Sequence, residues 1–270
     1  MAEGVANAGS AIGEAIGHHM EITLHNYIDV FLEDYSCHFL KEVGYNPKTN
    51  KCSKKLLLYD DYGNGYNIDG VITDESMRPL VLFESKYIRY KKHNRDKGSW
   101  ICNAHSAIRK RYASIRASIA VLAGNWSRTS LAMIRSYDIN VFLVPFDYIA
   151  KILATKGIDF NWEEKEKEKA MLAWKKYDQL SHKEKIDIAI QMVDLIKDQL
   201  FDCLRQLLDN TLLRELQAVI IEILTNKGEI KKYRFENRDQ AIEFLEKFSL
   251  EDEFKNDSLL TIYDIPIVES

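Results

Sequence analysis

The chain has 270 residues, of which 46% are hydrophobic and 29% charged, with a formal net charge of -4. A chain this long buries roughly 70–75% of its unfolded surface and needs no staples, and its composition excludes disordered, collagenous and coiled-coil classes. No run approaches the ~18 apolar residues of a membrane span, and the opening MAEGVANAGSAIGEAIG lacks the basic region and apolar core of a signal peptide.

Residues from about 6 to 42 read as a helix. Ile12, Ile16, Met20, Leu24, Ile28, Phe31, Tyr35 and Phe39 recur near a 3.6-residue period, and Gly44 and Pro47 stop it. Three aliphatic runs follow, 55–59, 66–73 and 80–88, separated by turn residues, and these read as a three-strand meander. Residues 100–115 read as a helix and 118–123 as a buried strand. A helix at 127–137, with its N-cap in Ser-Arg-Thr-Ser, leads to a second buried strand at 139–144. Strand–helix–strand alternation implies parallel pairing through right-handed crossovers. The expected class is α/β, an α+β mixed sheet.

The character changes around residue 160. The charge run EEKEKEK within 162–169 reads as the exposed start of a helix. Ser181-x-x-Glu184 is a capping box. It opens an amphipathic helix through Leu208, with Ile186, Ile190, Val193, Ile196, Leu200 and Leu204 as its stripe. A hairpin at 219–225 and 230–235, a helix near 238–248 and a last strand near 259–265 follow. The expected division is a core of 1–160 and a helical plus small α+β region of 161–270. Cys37, Cys52, Cys102 and Cys203 are scattered, with no CxxC, and read as free thiols in a reducing, cytoplasmic compartment.

The chemistry concentrates in YNIDGVITDESMRPLVLFESKYIRY, residues 66–90. Strand side chains alternate faces, so Glu84 and Lys86 share one face and Ser85 takes the other. If the strands pair through the intervening turn, Asp69 comes alongside Glu84. Two carboxylates so placed repel unless a cation lies between them. Oxygen ligands suit Mg²⁺, with Mn²⁺ as a substitute. Lys86 can then orient or help deprotonate a metal-bound water and offset charge developing at phosphorus. Charges in a strand as aliphatic as Leu80-Val81-Leu82-Phe83 are costly unless paired or metal-bound; a surface Glu–Lys pair on an edge strand is the simpler alternative.

The order helix, three strands bearing D…ExK, helix, strand, helix, strand, over roughly residues 6–150, resembles the PD-(D/E)xK nuclease superfamily, the restriction-endonuclease-like fold. The resemblance implies that Asp69 and Glu84 hold Mg²⁺, that the Ser85 carbonyl adds a ligand, and that Lys86 serves the attacking water. Ile68 stands where the motif has proline. Many members bring a further acid from the first helix. Glu21 is the preferred match and Glu14, seven residues away on the same helical face, the second. The resemblance further implies a type II restriction enzyme cutting double-stranded DNA, with a homodimer as the arrangement that serves a palindrome. The alternatives are a structure-specific or repair nuclease and an inactive DNA-binding module on the same fold.

The net charge conceals an asymmetry that suits such a partner. Between Lys86 and Arg116 stand ten basic residues and one acid, Asp96, a local charge of +9 that leaves -13 for the rest of the chain. Arg89, Lys91, Lys92, Arg95 and Lys97, interleaved with Tyr87, Tyr90 and Trp100 in an expected loop at 87–100, are candidate DNA contacts. Arg109, Lys110 and Arg116 on the following helix are further candidates, Arg109 and Arg116 sharing a face. His18, His19 and His25 lack metal-ligand spacing. Asp60-Asp61 and Asp74-Glu75 read as turn residues, Asp74 doubling as a reserve ligand. Neither a Walker A loop nor GxGxxG is present.

Overall fold

The computed structural model describes residues 7–41, 45–46, 51–52, 56–211 and 213–255. Helix α1 (Ala8–Leu32) starts where the Asn7 side chain accepts the Ser10 N–H, and its Ile12, Ile16, Met20, Leu24 and Ile28 are fully buried. Then come β1 (Cys37–Leu40), the short pair β2 (Tyr45–Asn46) and β3 (Lys51–Cys52), and the hairpin β4 (Leu56–Tyr59) and β5 (Gly65–Ile68). Strands β6 (Gly70–Asp74) and β7 (Pro79–Ile88) lead through a 3-10 turn (Lys91–His93) to α2 (Asn94–Arg111). Strand β8 (Ala117–Gly124), α3 (Arg128–Arg135), β9 (Ile139–Pro145), α4 (Phe146–Thr155), α5 (Lys167–Gln179) and α6 (His182–Leu208) follow.

The fold is mixed α/β. A five-stranded sheet runs β1-β6-β7-β8-β9; β1, β6 and β7 pair antiparallel, and β7, β8 and β9 pair parallel. All eight residues of β8 are buried, as a strand covered on both faces requires. On one face Val81, Phe83, Ile119 and Val121 share a core with α1, α4, α5 and α6. On the other, Leu82, Ala120 and Leu122 meet α2 and α3.

Helix α1 stops well short of the expected residue 42. Phe39, which continues its periodicity, lies instead in β1, where Cys37–Leu40 pair with Asp74–Val71 of β6. Its ring stands edge-on to His25 and Phe83 and fills the space over Gly70, where a Cβ would come within 2.5 Å of it. Strand pairing and this aromatic pocket override the helical period. The run at 66–73 is likewise not one strand. It breaks at Asp69, leaving β5 in the hairpin with β4 and β6 in the main sheet. Helix α2 begins and ends earlier than 100–115, so most of the expected basic loop is helical and Arg116 lies beyond the helix. Gly44, Pro47, Lys55 and the strand near 259–265 lie outside the described residues.

The chain divides into two units, Met1–Asp209 and Asn210–Ser270, rather than near 160. The reason is packing: Tyr177 of α5 and Met192, Val193, Leu200 and Leu204 of α6 belong to the core that α1 builds. The charge run at 162–169 marks a surface connection, not a domain boundary. The second unit contains the antiparallel hairpin β10 (Val219–Leu224) and β11 (Ile230–Phe235), then α7 (Arg238–Lys247) and α8 (Leu250–Glu253). Phe244 of α7 packs on Tyr233 and Phe235. Among the described residues Cys37, Cys102 and Cys203 are free thiols, and no helix is long and apolar enough to cross a membrane.

Helix α6 carries the capping box. The Glu184 N–H donates to Ser181 Oγ at 3.3 Å, and the Ser181 N–H donates to Glu184 Oε2 at 2.9 Å. Ser181→Ala should lower unfolding free energy by about 1 kcal/mol in urea titrations, and Ser181→Asp should restore most of it.

Candidate functional site

Strand β6 pairs with β7 only as far as Gly70 opposite Phe83. Beyond that point side chains take over the ladder. The Ser85 N–H donates to Asp69 Oδ2 at 3.0 Å, and the Asp69 N–H donates to Glu84 Oε2 at 3.4 Å. The N–H and C=O of one strand residue leave the same edge, so the Ser85 carbonyl turns toward Asp69 as well. Both carboxyl groups are deep: Asp69 is 3% exposed and Glu84 0%. Lys86 Nζ lies 3.6 Å from Glu84 Oε1, and its side chain is partly open to solvent.

Alternation along β7 decides what faces this group. Ser85 and Tyr87 point toward α1, whereas Glu84 and Lys86 point toward α2. There they line a cavity of about 300 Å³ together with Asn67 of β5 and Asp96, Lys97 and Trp100 of α2. Lower on the same face, Ala104 and Ile108 of α2 pack on Ile68, Val71 and Leu82. The interface is apolar at Leu82 and turns polar two residues later.

Comparison with protein-family models, curated proteins and solved structures finds no match for this chain. Among the described residues, no three His, Cys, Asp or Glu side chains are arranged to hold a metal ion. Asp69 and Glu84 come together through these hydrogen bonds. Helix α1 packs on the sheet face bearing Val81 and Phe83, and neither Glu21 nor the exposed Glu14 lines the cavity. Asp74 is committed to its turn, accepting the N–H groups of Ser76 and Arg78 and the Arg78 guanidinium; these contacts, led by the Arg78 amide, hold its carboxyl below the usual range.

The basic candidates separate sharply. Arg89 is no DNA contact, because it is buried in a cage. Its guanidinium donates to the carbonyls of Phe160 and Trp162, each at 2.9 Å, and lies 4.5–4.7 Å from the ring centres of Phe146, Phe160 and Trp162. Arg116 cannot share a helical face with Arg109, since α2 ends at Arg111; it donates to the Leu207 carbonyl. Arg109 donates to the Asp138 carbonyl, and Lys92 pairs with Glu164. Lys91, Arg95, Lys97 and Lys110 are exposed, and Lys97 is the one member of the candidate set that lines the cavity.

Three residues of the cavity had no assigned role in the sequence: Asn67, Asp96 and Trp100. Asp96 had a signal, as the sole acid in the basic segment. His105 of α2 is another buried group near the carboxylates. It is fully buried, and neither ring nitrogen has a hydrogen-bond partner among the described residues. Burial pushes its pKa down to about 4, against an upward pull from Asp69.

Arg89→Met should destabilise the fold by about 2–4 kcal/mol in urea unfolding, because two buried carbonyls lose their donor. The His105 ring is neutral in the fold and protonates only in the unfolded chain between pH 6.5 and about 4. Stability present above pH 6.5 is therefore lost at about 1.4 kcal/mol per pH unit as pH falls through that window. His105→Leu should flatten that part of the stability–pH curve.

Proposed function

We propose that the chain is a Mg²⁺-dependent endonuclease that hydrolyses DNA phosphodiester bonds, with Mn²⁺ able to replace Mg²⁺. The observation that carries the reading is the interlocked carboxylate pair, Asp69 and Glu84, with Lys86 beside it on the same strand face. Two buried carboxylates and one backbone carbonyl fit Mg²⁺, which is usually held by one or two carboxylates and completes its shell with water and phosphate oxygens. Asp69, Glu84 and the Ser85 carbonyl would hold the ion. When bound, it supplies Lewis-acid activation of the phosphate and a more acidic water.

The chain's own groups supply the rest. Lys86 Nζ, positive and partly exposed, can hydrogen-bond a phosphate oxygen or orient the attacking water, and its charge offsets the charge that grows at phosphorus. Lys97 sits across the cavity as a second cation. Lys91, Arg95 and Lys110 are exposed and free to follow a phosphate backbone. Glu21 is left out of this assignment.

For substrate, we propose double-stranded DNA cut at a defined sequence by a homodimer, whose two-fold symmetry would set two sites on opposite strands. A structure-specific nuclease is the second reading, favoured by the indole of Trp100 at the cavity wall.

Digestion of unmodified phage DNA with Mg²⁺ tests both. Discrete fragments support a sequence-specific enzyme, cutting confined to branched or single-stranded DNA supports the second reading, and no hydrolysis of any form refutes both. Glu84→Ala and Lys86→Ala should lower cleavage more than about 100-fold while DNA binding persists. Asp69→Asn should do the same and keep an acceptor for the Ser85 N–H. Full cleavage by Glu84→Ala overturns the assignment.

A further inference from the structure

We infer that the cavity beside Glu84 and Lys86 seats one unstacked base of the strand being cut, with Trp100 as its stacking face; this rests on the nuclease reading above. Trp100, Ala104 and Ile108 follow one another at four-residue steps and share a face of α2. Ala104 and Ile108 are buried against Ile68, Val71 and Leu82. One turn earlier, Trp100 holds the next position of that face, but the strand opposite has changed from Leu82 to Glu84 and Lys86. Trp100 is 39% exposed and lines the cavity with those two charges. A large aromatic surface left partly in water forfeits burial energy, and here it lies beside the groups assigned to phosphate chemistry.

The other wall residues suit the same occupant. Lys97 stands three residues before Trp100 on the same helix and offers a cation to a phosphate, and Asn67, across on β5, offers a side-chain amide that can pair with a base edge. A volume of about 300 Å³ lies at the lower end of small-ligand clefts, suited to a single nucleotide and not to a duplex. A base within a duplex has both faces covered by its neighbours, so stacking on Trp100 requires a base outside the stack. Such a base has two sources: a strand that is already unpaired, or a duplex from which it is drawn out. The chemistry recognised is the same.

Fluorescence anisotropy of the full chain with labelled oligothymidylate and with a labelled duplex, in Ca²⁺ to hold off cleavage, tests the inference. Trp100→Ala should weaken single-strand binding by roughly 5- to 150-fold, the range expected for losing one base–aromatic stack. Trp100→Phe, which keeps an aromatic face, should recover most of the affinity. Trp100→Leu keeps apolar bulk without that face and should behave as Trp100→Ala, which separates stacking from packing. Loss confined to the single strand identifies an unpaired substrate, and loss on both forms identifies a base drawn from the duplex. Unchanged binding of both forms by Trp100→Ala and Trp100→Leu overturns the inference while leaving the nuclease reading in place. Failure of the unaltered protein to bind either DNA overturns the nuclease reading, and the inference with it.

Discussion

Strand β7 loses its neighbour β6 after Phe83, and the backbone amides beyond that point still need partners. The solution is local. The Asp69 carboxylate takes the Ser85 N–H, and the Glu84 carboxylate takes the Asp69 N–H. A break in a sheet thus becomes the reason for two carboxyl groups to lie side by side in the interior. Burial without the two amide hydrogen bonds would cost several kcal/mol for such groups. The same break sends β5 out of the main sheet, and that brings Asn67 to the cavity wall.

Alternation along β7 then separates the packed face of the strand from the charged one. Tyr87 points to α1, where glycines at four-residue spacing admit it closely: a Cβ on Gly17 would lie 2.9 Å from Tyr87 Cβ. Glu84 and Lys86 point the other way, into the gap below α2. Just past the strand, Arg89 is clamped by two carbonyls and three rings, and it fastens the segment around Phe160 and Trp162 to the end of β7. The end of the strand that carries the charged groups is therefore held from one side by a glycine-lined helix and from beyond by a buried cation.

How much of this was legible differs by element. Strands β8 and β9, helix α3, the capping box of α6 and the β10–β11 hairpin can be read from the chain, because each depends on local signals: an unbroken apolar run, an N-cap serine, a Ser-x-x-Glu pair, a turn with glycine. The end of α1 could not be read, since Phe39 keeps the helical period while its partners Gly70 and Phe83 lie far along the chain. Arg89 misled for the same reason. In sequence it is one of five cations in a basic stretch, and the aromatic residues that bury it, Phe146, Phe160 and Trp162, come more than fifty positions later.

The sequence alone determined the pairing of acid and base along one strand: Glu84 and Lys86 two residues apart must share a face, because strand side chains alternate. It also determined that Asp69 stands one turn and one strand away, and that positive charge gathers after Lys86. Tertiary structure alone decided which of those charges meet. It buried Arg89, carried Arg116 off the helix, set α1 on the face of the sheet opposite α2, and brought Asp96 and Trp100 to the cavity that Glu84 lines. Spacing along a chain constrains neighbours within one element. What faces that element is set by the packing of other elements, and no local pattern encodes it.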